Sequence, residues 1–121
     1  MKAKELRTGN YVYTGKLCLP ELGVTTNGNT KLTAKGIYRI EQKILEALPI
    51  PLTEDFMPIL GIDYLADGQY ELVIDFLHFN WDKEVGLIIF INDSTESIAL
   101  EHIKYVHQFQ NIVFALTNKE L

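Results

Sequence analysis

One cysteine in 121 residues leaves no partner for an internal disulfide. Cys18 stands among apolar neighbours and reads as a small buried hydrophobe in a reducing compartment. Long apolar runs are also missing: none exceeds the length of LIIFI at Leu87–Ile91, far short of the roughly 20 residues that cross a bilayer. The opening MKAKELRTGN has no apolar core behind its lysines, so a cytoplasmic protein is expected rather than a secreted one. The glycines build neither GxGxxG nor a P-loop, which leaves no phosphate cradle. Ser94 and Ser97 lack an elbow motif, and no local signature joins Cys18 to a histidine as a nucleophile pair.

Basic residues are scarce in the second half. Residues 53–121 hold three lysines against twelve acids, a net of −9, whereas residues 1–52 hold eight Lys/Arg against four Glu, a net of +4. Such asymmetry marks either a nucleic-acid surface on the basic half or mutual attraction between the halves. The acidic majority weighs against a phosphate backbone as partner. The remaining composition, 47% hydrophobic and 22% charged, is ordinary for a globular chain and excludes a mainly disordered one.

What is present reads as an α+β protein. Residues 1–48 form a small β lobe, barrel-like and SH3-like in scale: Gly9, Gly15, Gly23, Gly28 and Gly36 punctuate short strands such as YVY at Tyr11–Tyr13. Asn27-Gly28 between Thr-rich flanks is a hairpin signal, because both central turn residues need positive φ. GIYRIEQKI, from Gly36 to Ile44, alternates as an outer strand would. Residues 49–61 are a Pro-rich joint and a short helix capped by Thr53 and ended by Gly61, with Phe56, Ile59 and Leu60 on its buried side. Residues 62–121 form an antiparallel meander packed by a C-terminal helix. QYELVIDFLHF and VGLIIFIN are its long strands, NWDKE and DSTE its turns, and SIAL its last strand.

The closing stretch EHIKYVHQFQNIVFALTNKEL carries two stripes at helical spacing. Tyr105, Val106, Phe109, Ile112, Val113 and Leu116 make a core-facing side. Ile103, His107, Gln110 and Phe114, with Asn111 beside them, make a second. Asn118 falls where a left-handed cap belongs. Two explanations stand for the second stripe. Either the basic lobe folds over it, or it docks a second copy or another protein, with Phe114 as anchor. Burying Phe114 contributes roughly 2–3 kcal/mol either way. Trp81, read at a hairpin tip, is a further candidate contact.

IKYVHQFQNIVFALTNKEL, with MKAKELRTGNYVY, GIYRIE and PIPLTEDF, resembles a family of small proteins encoded by Bacteroidota phages, prophages and related mobile elements. The match weakens between about Gly61 and Ile98. Pro58 and Asn118 depart from the family pattern. No activity is established for that family, so the resemblance implies a genomic setting and no site.

The leading expectation is therefore a non-enzymatic accessory protein of phage or mobile-element origin. It would be a protein-binding or assembly module, homo-oligomeric or with another protein, and without cofactor, metal or membrane partner. Its interface would comprise Ile103, His107, Gln110, Asn111, Phe114 and Trp81. The first alternative is nucleic-acid binding by the basic lobe through Lys31, Lys35, Tyr38 and Arg39, with Tyr11 and Tyr13 as stacking rings. The second is a small-ligand pocket between lobes near Glu71, Asp75 and His78. His102 and His107 are five residues apart, which does not place two ligands on one helix face.

Overall fold

The computed structural model describes residues 1–15 and 19–121, so Cys18 lies outside the described residues. The fold is α+β: a three-stranded antiparallel sheet, a helix, a five-stranded antiparallel meander and a C-terminal helix. The chain divides into two compact units, one of residues 1–51 with 105–121 and one of residues 52–104.

In the first unit, β1 (Tyr11–Tyr13), β2 (Gly23–Thr26) and β3 (Asn29–Leu32) form a sheet in the order β1-β3-β2. Asn27 and Gly28 take φ of 53° and 80° between β2 and β3, the geometry that the Asn-Gly pair selects. The sheet does not close into the barrel expected from the glycine spacing. The reason is α1 (Ala34–Glu41), a helix where an outer strand was expected. Thr33 caps it by accepting the Gly36 N–H at 3.2 Å, and Ile37 and Ile40, three apart, turn toward the core. Gly36 is thus no turn residue. A Cβ there would sit 2.1 Å from the Leu22 carbonyl oxygen, so glycine lets the helix approach that backbone. Leu6, Val12, Leu22, Leu32, Ile40 and Leu45 fill the space between helix and sheet.

The terminal helix, α2 (Val106–Thr117), belongs to this first unit and packs on β1. It also starts later than the sequence suggested, because Tyr105 is extended and the Val106 N–H bonds the Ile50 carbonyl at 2.8 Å. Val106, Phe109 and Val113 are fully buried, while Leu116 is exposed. Asn118 closes the helix at φ 59°, its N–H bonding the Phe114 carbonyl.

The second unit opens with a 3-10 turn at Glu54–Phe56, where Thr53 makes no side-chain cap bond. Phe56, Met57 and Leu60 are buried there, and Ile59, expected inside, is exposed. Five strands follow in sequential order: β4 (Asp63–Ala66), β5 (Gln69–Ile74), β6 (Leu77–Asp82), β7 (Gly86–Ile91) and β8 (Ser97–Leu100). QYELVIDFLHF is two strands rather than one. Asp75 takes φ of 55° and turns the chain, so Ile74 pairs with Leu77. Another hairpin turns at Asp67 and Gly68, φ 44° and 78°. Cross-strand pairing places Tyr70, Trp81, Leu87 and Leu100 in one row and Leu72, Phe79, Ile89 and Ile98 in the next, all on one face. Tyr70, Trp81, Leu87, Phe79 and Ile89 of these rows are buried. No helix among the described residues is long and apolar enough to cross a membrane.

Candidate functional site

The second stripe of α2 is covered by the chain's own N-terminal segment. Gln110, 2% exposed, accepts the Tyr11 N–H through Oε1 at 2.9 Å and donates Nε2 to the Gly9 carbonyl at 3.0 Å. Asn10, fully buried, donates Nδ2 to Asn111 Oδ1 at 2.9 Å and accepts the Arg7 N–H at 2.6 Å. Asn111 Nδ2 donates to the Glu5 carbonyl at 2.9 Å. A three-amide clasp thus satisfies backbone groups of residues 5–11 that the pairing with β3 leaves open. Phe114 lies beneath Arg7, whose guanidinium carbon stands 3.5 Å from the ring centroid. His107 is buried with its Nδ1 unpartnered among the described residues, and burial lowers its pKa, opposed by the Glu5 charge. His107, Gln110, Asn111 and Phe114 therefore come together, as an intramolecular seam.

The other two residues of the expected interface belong to the second unit. Ile103 precedes the helix and is buried in the second unit. Trp81 is in β6 rather than at a hairpin tip, 6% exposed, its ring centroid 6.0 Å from that of Tyr70. The turn lies beyond it, where the Asp82 carboxylate accepts the Glu84 and Val85 N–H groups at 2.7 and 3.2 Å. Those two bonds hold the Asp82 carboxyl below its ordinary pKa.

The cationic and aromatic residues of the basic lobe separate as well. Lys31 stands on the open face of the sheet, opposite Leu32, with its ammonium 5.7 Å from the Tyr11 ring centroid. Tyr13 shares that face. Lys35, Tyr38 and Arg39 are on α1, where Tyr38 and Arg39 bond Gln42 and Lys35 stands 3.9 Å from Glu21. They form no single platform with Lys31.

Glu71 and His78 meet on the more polar face of the meander, Oε1 to Nδ1 at 3.6 Å. His78 Nε2 lies 3.3 Å from Asn92 Oδ1, and its ring stacks on Phe90 at 4.6 Å. Asp75 lies in the β5–β6 turn. Among the described residues no three His, Cys, Asp or Glu side chains group as a metal set.

The meander's two edges differ, a contrast that the sequence pattern did not reveal. β4 is fully exposed, begins with Asp63 and has an irregular register between Tyr64 and Ala66, features that blunt an edge. β8, SIAL, has no charge, proline or bulge. Among the described residues it pairs with β7 on one side only, and Ile98 is 65% exposed. Asp93, Glu96 and Glu101 flank it, and the unit of residues 52–104 carries eleven acids against two lysines, a net of −9.

No family model, curated protein or solved structure matches the chain. The β8 edge and the surfaces above therefore carry the functional reading on their own chemistry.

Proposed function

We propose that this protein is a non-enzymatic protein-binding module that takes up an extended, basic segment along the open edge of β8. The phage and mobile-element resemblance suggests its setting, an accessory protein in a bacterial host. The observation that carries the reading is the unblunted edge: four uncharged residues that pair in the sheet with β7 alone among the described residues, with Ile98 exposed beside them. Strand addition supplies main-chain hydrogen bonds, and alternate side chains supply selectivity.

Charge chooses the partner. An antiparallel pairing of two β8 strands that sets Ser97 against Leu100 also sets Glu96 against Glu101, twice. Like charges directly opposite destabilise a ladder, so a second copy is disfavoured here and a lysine- or arginine-flanked strand is favoured.

A synthetic peptide of alternating Val and Thr flanked by lysines tests this at low ionic strength. Amide exchange of β8 should slow on its addition, the effect should fade with salt, and Ile98→Lys should abolish it. The double change Glu96→Lys with Glu101→Lys should reject the peptide. Unchanged exchange in β8, or protection indifferent to Ile98→Lys, refutes the proposal.

A further inference from the structure

We infer that the pocket around Arg7 is a binding site for a phosphate-class oxyanion and that Glu120 occupies it as an internal, displaceable stand-in. The pocket, about 540 Å³, is lined by Arg7, Thr8, Gly9, Lys31 and Glu120.

Its donors are fixed in advance. The Arg7 guanidinium rests on Phe114 at 3.5 Å, and the Arg7 main-chain N–H is held by Asn10. The clasp therefore positions the residue at both ends, and planar stacking leaves the guanidinium edge free for an anion. Gly9, at φ 94°, lets a carboxylate settle on the backbone: a Cβ there would lie 3.3 Å from Glu120 Oε2.

Donors outnumber acceptors. Glu120 pairs with Nη2 of Arg7 and leaves the other guanidinium nitrogens without a hydrogen bond among the described residues. Lys31 has no carboxylate within ion-pair distance among the described residues, and its nearest described charge contact is the Tyr11 ring. Two cations face one carboxylate, so a group with three acceptor oxygens and up to two negative charges matches the donors better than Glu120 does. The occupant is weakly held. The Glu120 side chain is 57% exposed against 27% for Arg7, and such pairs near the surface exchange readily with solvent.

The test is a titration of the full chain with inorganic phosphate, followed by NMR at the Gly9 and Lys31 amides and the Arg7 side chain. Acetate and chloride at matched ionic strength are the other arms. Saturable shifts with phosphate are expected, weakened about tenfold by Lys31→Gln and tightened several-fold by Glu120→Gln. Arg7→Lys should remove binding. Undisturbed Asn10 and Gln110 side-chain amide signals show that each variant keeps the clasp. Glu120→Gln and Lys31→Gln, both at the surface, carry the test if Arg7→Lys unfolds. Linear shifts equal to those with chloride, saturation by acetate in preference to phosphate, or an affinity indifferent to Glu120→Gln overturns the inference.

Discussion

Replacing Gln110 by Met removes its two hydrogen bonds to the backbone, and the longer one from Asn10, while keeping nearly the same volume, so it isolates what the clasp contributes. The Tyr11 N–H loses its 2.9 Å acceptor and the Gly9 carbonyl its 3.0 Å donor, at a site where Gln110 is 2% exposed. Water has little access to either orphan. A buried polar group left unsatisfied costs about 1–3 kcal/mol, and a better-packed Met returns part of that. The expected loss is roughly 2–4 kcal/mol, or about 8–16 °C in Tm for a chain of this size. Urea unfolding should show the change in midpoint, and amide exchange should speed up at Tyr11 before it does at the meander strands. Leu116→Gln, on the exposed side of α2, is the control and should stay within about 0.5 kcal/mol. Because Asn10 Nδ2 also lies 3.4 Å from Gln110 Oε1, Asn10→Ala and Gln110→Met should couple by about 0.5–3 kcal/mol in a double-mutant cycle. A Gln110→Met protein as stable as the parent, with Tyr11 exchange unaltered, would refute the argument that these amides hold α2 in place.

Gly36→Ala would stabilise an ordinary helix by about 1 kcal/mol. Here the new methyl meets the Leu22 carbonyl, so a net loss of about 1–3 kcal/mol is expected by denaturant titration. His107, buried and with its pKa lowered below 6.5, disfavours its own protonation in the fold. Between that lowered value and 6.5 the unfolded chain binds more protons, so this contribution is fully present above pH 6.5 and declines on acidification. His107→Gln should flatten that part of the stability–pH curve, and an unchanged slope would contradict the assignment.

The strands that carry strong turn chemistry were legible in the sequence. Asn27-Gly28 marks its hairpin, and SIAL and VGLIIFIN appear as strands within a residue or two. Asp67-Gly68 carries the same signal between GIDYLA and QYELVI, and the reading of three strands passes over it and over β4. α1 was misread because Gly36–Ile44 satisfies both periods: Ile37 and Ile40 are three apart, yet apolar and polar residues also alternate. Only Thr33, placed to cap, tips the balance. For α2 the residues of the second stripe were found but not their partner. Nothing local in residues 5–11 announces that its backbone groups need amides from a helix 100 residues away. Trp81 reads as an exposed tip because turn-forming residues begin at Asn80, whereas β6 continues to Asp82 and makes it a buried cross-strand ring. The β8 edge was hidden for another reason: whether a strand has a second neighbour is a property of topology and leaves no mark on its own four residues.

The order of assembly follows from the clasp. Asn10 and its α2 partners are separated by about a hundred residues, so during synthesis the first lobe waits for chain made much later, with its buried amides wet and its apolar surface open. The meander is one continuous stretch of neighbouring hairpins and needs nothing from outside it to pair. Short-range contacts close faster than distant ones, so the acidic lobe should ripen on the ribosome while the basic one is still incomplete. Slow maturation and any need for chaperone shelter would then belong to the unit assembled from two segments far apart in the chain.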